Sequence, residues 1–465
     1  MKILVILLMF TVLIGCQSTG NPVDEQFVTI VIKHTEPEVW TANYKLTKPV
    51  AKLFFSRDQN VFRHKFFKFA NSDFMIKIEN GKEIVIRKDG SKFEEFKFSF
   101  TPYTDFLKQD YEFSLPFSDS SYAIYTGHFS VRTEHHDKIK EQFHIVPLKK
   151  EKLVFDGKSF KEQQIWVPKG DMESTYIYFG NAAPTESAQL GLLMDPGIPK
   201  WLKNSADKAL PKIFELFGDE FQYTPDPTPF VIASAGDMNK DKVSRIGGGS
   251  APGWVHFNIS GKGWKKPSKD LEERFIYVIA HEGMHQFQGR ANKDYLREGW
   301  LMEGSADYFS QWAMYKLGQI TLSRLKEKIS KSANQCVSIL EEDPYILGNP
   351  SKNSNYTATY ACGRVLHEAI HMVIAKKDPK GMISLWKKLY EKAKSNNGYF
   401  IPKSYFEILK EMGIKGSYIN AAHEFIYSKQ GNPRESIKNL FDMSGLKYKL
   451  RSPKNKEKGQ QFIVL

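Results

Sequence analysis

The chain has 465 residues and a formal net charge of +13, a length that suits two domains or one large one. Hydrophobic residues make up 41% of it and aromatic residues 14%, which is enough for a packed core and excludes an intrinsically disordered chain. The lysines are scattered and no known nucleic-acid-binding module is visible, so no nucleic-acid partner is predicted. A cationic surface suits anionic membranes or cell-wall polymers.

The first residues predict export. One lysine precedes an apolar run that ends at Gly15 and Cys16, and this run is too short to span a bilayer but has the proportions of a signal sequence. The ending VLIGC resembles a bacterial lipobox, in which the cysteine carries lipid. The resemblance implies a signal peptide over residues 1–15, a lipidated Cys16 with a tether over residues 16–24, and membrane anchoring in the cell envelope. The outer membrane is favoured where there is one, and an ordinary signal peptide is the alternative.

Residues 25–182 are predicted to form an antiparallel β domain, either a twisted sheet or a sandwich. Polar and apolar residues alternate in stretches such as QFVTIVIK and KFEEFKFSF, which is the period of strands with one buried face. In FMIKIENGKEIVIR two such runs flank Asn80-Gly81, a dipeptide typical of two-residue hairpins.

A mainly helical domain with a small sheet is predicted over residues 195–430, and residues 431–465 are then a C-terminal extension. An amphipathic stretch begins at Pro199, and Pro211 is expected to kink or break its helix. The glycine-rich GGGSAPG is expected to be a turn leading into the strand WVHFNIS. It lacks the Gly-Lys-Ser/Thr ending of a phosphate-binding loop. The predicted fold class is therefore α+β and multidomain.

Two stretches fit the pattern His-Glu-x-x-His, at residues 281–285 and 367–371. His281 and His285 are four apart, so they project from one side of a helix, the spacing that lets two imidazoles bind one zinc ion. Glu282 is rotated by about 100°, so it misses the metal and is placed to act as general base toward an attacking water.

The helix that carries the first motif is predicted to begin near Asp270. Asp270 and Glu273 fit a capping box, and an apolar helical face follows them.

A third ligand is expected in REGWLMEGSADYF, residues 297–309. Glu303 is predicted to open a second helix and to supply that ligand. Asp307, one turn later, can accept the remaining N–H of a ligand histidine and so fix its tautomer. Glu298 is the rival third ligand and is placed in the loop before this helix.

From HEGMH to WLMEGSADYF the sequence resembles the gluzincin metallopeptidases, zinc peptidases with glutamate as third ligand. Trp300, Leu301, Glu303, Gly304 and Ala306 match the Trp-Leu-x-Glu-Gly-x-Ala pattern of their second helix. The β-rich N-terminal half is similar in layout to the aminopeptidase branch, including the glycyl aminopeptidase-like family. The resemblance implies a zincin-like catalytic domain, one Zn²⁺ per chain and hydrolysis of a peptide or protein substrate.

The resemblance is incomplete in one strand. The aminopeptidase branch holds the substrate's free amine with an acid in a Gly-x-Met-Glu-Asn-like strand, whereas GGGSAPGWVHF has none. Endopeptidase and aminopeptidase specificity therefore both remain open. The resemblance also implies a tyrosine on a later helix that stabilises the oxyanion. Tyr360 is favoured over Tyr356, and a place in the core is the alternative for each.

The second motif lacks this context. Glu391 has a tolerable third-ligand spacing, but it lies in the basic stretch YEKAKSNNG. This helix is predicted to pack behind the site, with His367 and His371 either structural or entering the pocket as a hydrogen-bond donor. His256 is interpreted as a packing or surface residue of its strand.

Cys336 and Cys362 are a possible disulfide, because an even pair in an exported chain favours a bond; two free thiols are the alternative. Two rival functions remain open: a non-enzymatic envelope binding or assembly lipoprotein with a structural zinc, and a zinc hydrolase of a non-peptide amide. The intact Glu282 argues against the first, since a structural site needs no base. The sequence makes no prediction of oligomeric state.

Overall fold

The structure is a computed structural model that describes residues 27–465 except 106, 108–109, 135–138, 169–173, 252, 289–294, 352–353, 396–401 and 453–459; the side chains of residues 295–298 also lie outside the described part. The predicted signal peptide, Cys16 and the tether fall outside the described residues. Within the described part, no helix combines the length and the apolar character needed to cross a membrane.

The first part of the chain is made of strands. In chain order the elements are β1 (Phe27–Glu36), β2 (Val39–Val50), β3 (Lys52–Phe55), α1 (Arg63–Phe66), β4 (Phe67–Phe69), β5 (Phe74–Glu79), β6 (Lys82–Arg87), β7 (Phe93–Phe100), β8 (Ser114–Pro116), β9 (Tyr122–Tyr125), β10 (Val131–Arg132), β11 (Lys140–Val146), β12 (Lys152–Phe155), β13 (Lys158–Phe160), β14 (Gln164–Trp166) and β15 (Tyr176–Gly180).

These strands form sheets in the orders β14-β11-β1-β2-β7-β4, β10-β3-β6-β5 and β13-β12-β15-β9-β8. The pairing is antiparallel, as predicted, except that β1 and β11 run parallel. Alternate residues of β1 and β2 are buried, and residues from all three sheets share one hydrophobic core. The predicted hairpin joins β5 to β6: Asn80 and Gly81 have φ angles of 53° and 74°, and positive φ at both positions is what a type I′ turn requires.

The second part combines a mixed sheet with helices. Its strands are β16 (Thr185–Glu186), β17 (Gly191–Met194), β18 (Phe230–Ala235), β19 (Arg245–Ala251) and β20 (Trp254–Ser260), in the order β16-β17-β18-β20-β19. Its helices are α2 (Lys200–Phe221), α3 (Lys269–Met284), α4 (Tyr295–Lys316), α5 (Leu322–Glu342), α6 (Thr357–Ala375), α7 (Met382–Lys394), α8 (Pro402–Glu411), α9 (Gly416–Tyr427) and α10 (Pro433–Ser444), followed by β21 (Tyr448–Arg451) and β22 (Gln461–Val464).

One hydrophobic core joins these helices to one face of the mixed sheet. Leu440 and Phe462, which lie in the extension predicted over residues 431–465, belong to this core. A smaller cluster that includes Tyr176 and Trp254 lies between the β8–β9–β12–β15 sheet and the mixed sheet. The first part of the chain is therefore in direct contact with the sheet that borders the site.

The break expected as one outcome at Pro211 does not occur. The helix α2 continues from Lys200 to Phe221 through Pro211. Ile213, Phe214 and other apolar side chains of α2 are buried in the core. We attribute the continuity of the helix to this burial, which outweighs the roughly 3 kcal/mol that an internal proline costs.

Most of the glycine-rich segment was also misassigned. It forms most of β19, an edge strand whose residues Arg245–Ala251 pair antiparallel with β20. A Cβ on Gly249 would lie 2.7 Å from Cε1 of His256, and one on Gly248 would lie 2.8 Å from the carbonyl oxygen of His256. Gly248 and Gly249 are therefore needed for close packing, whereas Gly253, with a φ of 83°, lies in the turn that leads into β20 as expected.

Two facing glycines bring α4 and α6 together. A Cβ on Gly304 would lie 2.5 Å from the backbone of Gly363, and one on Gly363 would clash with the carbonyl oxygen of Trp300. Only glycine permits such a backbone approach. The predicted disulfide between Cys336 and Cys362 is present and joins α5 to α6 beside this crossing. The contact holds α6 against the helix that carries Glu303.

We expect Gly363→Ala to lower the melting temperature of the metal-free protein. The added methyl group would force α4 and α6 apart, an overpacking cost of about 1–3 kcal/mol. Gly416→Ala is the control, because a Cβ at this position in the first turn of α9 meets no atom within 4 Å, and alanine is the better helix former. Thermal unfolding followed by circular dichroism measures both. Equal melting temperatures for Gly363→Ala and wild type would contradict the close crossing.

Candidate metal centre

The first motif lies at the end of α3 and in the 3-10 turn His285–Phe287 that follows. Apolar residues of α3 such as Ile279 anchor the helix in the core. The helix begins after Ser268, and the expected capping box does not form. Glu273 instead accepts a 3.0 Å hydrogen bond from Arg324 of α5.

His281, His285 and Glu303 come together. One ligand atom from each lies within 4.8 Å of the others, and no other such group of His, Cys, Asp and Glu side chains occurs among the described residues. The Nε2 atoms of His281 and His285 lie 3.1 and 3.4 Å from the same carboxylate oxygen of Glu303. His281 and Glu303 are buried and His285 is half-buried.

The charges of these groups are coupled. Burial alone would raise the pKa of Glu303, but the charge of His285 and hydrogen bonds from both histidines lower it to about 2. Glu303 is therefore ionised at neutral pH. Burial opposes protonation of His285, yet the negative charge of Glu303 raises its pKa above the ordinary value.

Both Nδ1 atoms are engaged away from Glu303. His281 Nδ1 lies 2.8 Å from Oδ1 of Asp307, which also accepts a hydrogen bond from the hydroxyl of Tyr277. His285 Nδ1 lies 2.5 Å from Oε1 of Gln288. Two imidazole nitrogens and one carboxylate oxygen thus converge, the donor set of catalytic zinc sites that keep one position for water. The residues present fit a zinc ion.

Glu282 faces the edge strand. A Cβ on Gly248 of β19 would lie 3.4 Å from Cγ of Glu282. Burial raises the pKa of Glu282, against the opposing charges of His281 and His285. A carboxylate beside the ligands with a raised pKa has the properties of a general base.

Tyr111 and Glu112, from the β part of the chain, lie next to β19 and β20. No sequence pattern predicted this contact. Tyr111 donates a 2.7 Å hydrogen bond to the carbonyl oxygen of Ser250. The buried His256 holds Glu112, with 2.7 Å between its Nε2 and a carboxylate oxygen. His256 does pack in its strand as expected, but it also brings the acidic group of Glu112 toward the strand that lacks one.

Tyr360 of α6 stacks on His281, with ring centroids 5.6 Å apart. Burial and the charges of Glu303 and Glu282 raise its pKa, so the phenol keeps its proton. Tyr356 lies one turn earlier, and its hydroxyl has no hydrogen-bond partner among the described residues. It packs against Gly299, where a Cβ would lie 2.7 Å from the hydroxyl oxygen.

The second motif lies in α6, and its side chains bind other residues of the protein. His367 is fully buried, and its Nδ1 donates to the carbonyl oxygen of Gly363 at 2.6 Å. His371 Nδ1 accepts from the hydroxyl of Tyr308 at 2.9 Å, and Glu368 pairs with Arg364 at 3.4 Å. Glu391, which has a tolerable spacing for a third ligand, is exposed and bound to Lys394 as its basic surroundings predicted. This motif therefore packs α6 against its neighbours.

The start of α4 differs from the expectation. The helix begins at Tyr295, so Glu303 lies well inside it rather than at its start. Glu298 is in the first turn of α4 and not in a loop, and its side chain lies outside the described residues.

The chain has the fold of the aminopeptidase N family and of leukotriene A4 hydrolase. An aminopeptidase N family protein from Idiomarina loihiensis superposes with a TM-score of 0.67 and 11% identity, over 94% of this chain and 81% of that one. Leukotriene A4 hydrolase from Saccharomyces cerevisiae gives a TM-score of 0.52 and 12% identity, over 87% and 68%. No family model matches the sequence, and no curated protein matches it significantly.

Proposed function

We propose that this chain is a zinc-dependent metallopeptidase that hydrolyses peptide bonds. The observation that carries the proposal is the convergence of two imidazole Nε2 atoms on one carboxylate oxygen of Glu303. The half-buried Glu282 beside this cluster and the fold shared with an aminopeptidase N family protein support it.

The chemistry is divided among a few side chains. His281, His285 and Glu303 would hold zinc, which supplies a Lewis acid that acidifies water and polarises the scissile carbonyl. Glu282 accepts a proton from the attacking water and delivers it to the nitrogen of the leaving amine. The hydroxyl of Tyr360 donates a hydrogen bond to the oxyanion.

Hydrolysis of a peptide library by the purified chain tests the proposal. We expect cleavage that stops on treatment with a chelator and returns with zinc. Peptides with free and acetylated N termini separate aminopeptidase from endopeptidase activity, and Glu112, which His256 holds next to β19, is the candidate to hold a free amine. Cleavage only of non-peptide amides, or zinc binding without any hydrolysis, would contradict the proposal.

Tyr360→Phe is expected to lower kcat by about 10²–10³-fold while KM changes little, because the lost donor serves the developing oxyanion. Tyr356→Phe is the matched control, one turn away on the same helix. Steady-state kinetics on one cleaved peptide measures both. A larger loss of kcat in Tyr356→Phe would transfer the role to Tyr356.

We also propose that the chain is lipid-anchored in the cell envelope through Cys16. The lipobox-like sequence supports this, and the Cys336–Cys362 disulfide fits an oxidising compartment. In cells fed a labelled fatty acid, the wild-type chain should carry label and sediment with membranes, whereas Cys16→Ala should carry none. Equal labelling of the two would contradict the anchor.

A further inference from the structure

Gln288 links the two elements that carry the ligands. It directly follows the 3-10 turn that contains His285, and it is fully buried. Its Oε1 lies 2.5 Å from Nδ1 of His285. Its Nε2 donates to the carbonyl oxygen of Met302 at 2.6 Å and to Oγ of Ser305 at 2.7 Å. Met302 directly precedes Glu303 on α4.

These contacts fix the orientation of the amide. A backbone carbonyl oxygen can only accept a hydrogen bond, so the NH₂ group of Gln288 must face Met302. The amide oxygen then faces His285 and can only accept, so Nδ1 of His285 must carry a hydrogen. In the neutral ring this leaves the lone pair on Nε2, the atom that points at Glu303.

We propose that Gln288 is a positioning residue that sets the tautomer of His285 and holds this ring in register with the turn of α4 that carries Glu303. The inference rests on the proposed zinc site. An amide suits the task better than a carboxylate, because it accepts from the histidine and donates to α4 at the same time. Asp307 has only one of these tasks, since it lies on α4 itself and as a carboxylate can only accept hydrogen bonds, from His281 and from Tyr277.

Gln288→Met tests the proposal, because methionine has a similar length and makes no comparable hydrogen bond. Gln286→Met is the matched control. Gln286 is a buried glutamine of the same turn that binds Gly253 and Ala251 in the β19–β20 connection and no ligand. We expect Gln288→Met to weaken zinc binding by about 10- to 100-fold in a competition with a chelator, and Gln286→Met to bind zinc as wild type does.

A second measurement needs no metal. Nitrogen-15 NMR of the histidine side chains in the metal-free protein, at an alkaline pH that leaves the ring of His285 neutral, should show hydrogen on Nδ1 of His285 in wild type and Gln286→Met, and a mixture of tautomers in Gln288→Met. A folded Gln288→Met with wild-type zinc affinity and an unchanged tautomer would overturn the proposal.

Gln288→Glu covers the case in which the methionine variant does not fold. The carboxylate still accepts from His285 but faces the carbonyl oxygen of Met302 without a donor, so the tautomer should persist while zinc affinity falls. Wild-type affinity in Gln288→Glu would overturn the bridging role. A wild-type protein that binds no zinc would instead contradict the proposed function, and the tautomer measurement would still decide the role of Gln288.

Discussion

Glu282→Gln is expected to abolish peptide hydrolysis while the protein keeps its zinc. The amide cannot take a proton from water, and the loss of a general base typically lowers turnover by about 10²–10⁴-fold. Glu282 is not in the ligand group formed by His281, His285 and Glu303, so metal binding should remain. The measurements are kcat/KM on a cleaved peptide and zinc per chain by elemental analysis.

Glu368→Gln is the matched control for this variant. Glu368 occupies the same place in the second His-Glu-x-x-His pattern, but it is buried and paired with Arg364. Folded Glu368→Gln should cleave peptide at the wild-type rate. Wild-type hydrolysis by Glu282→Gln would exclude Glu282 as the base, whatever Glu368→Gln does.

His285→Ala is expected to lose stoichiometric zinc, whereas His371→Ala should retain it. The first substitution removes one of three converging ligand atoms. The second removes a half-buried side chain whose hydrogen-bond partner is the hydroxyl of Tyr308. Zinc per chain after dialysis, with folding checked by circular dichroism, measures the difference.

Other zinc contents in these variants would change the assignment of the metal site or of the function. Loss of zinc in His371→Ala alone would move the metal site to the second motif and overturn every ligand assignment. Absence of zinc from folded wild type, even after zinc is supplied, would favour a non-enzymatic envelope binding protein.

The ligand cluster could be anticipated because its geometry is local. Two histidines four apart share a helix face, and Glu303 and Asp307 repeat that spacing on α4. Short-range periodicity therefore pairs the two histidines and pairs Glu303 with the carboxylate that holds His281, and the resemblance to the gluzincins implied that the two pairs meet. The alternating strands and the Asn80-Gly81 hairpin are likewise local patterns, and the structure has them.

The features that could not be anticipated depend on distant neighbours. Glu112 and His256 are 144 residues apart in sequence, and no local pattern joins them. The glycines of β19 resemble a turn until the ring of His256 is placed beside them. The role of Gln288 could have been anticipated from the sequence, because residues three apart lie on the same face of a helix and Gln288 lies three residues after His285.

The middle of α4 is enclosed on all sides: every residue from Gly299 to Gln311 is buried. Its backbone amides should therefore be among the slowest in the chain to exchange with deuterated solvent, because exposing them requires α6 and the core to separate first. Glu303 would then leave the ligand cluster only when the whole domain opens. The half-buried His285 is then the side of the cluster from which a ligand atom can be reached without separating α4 from its neighbours.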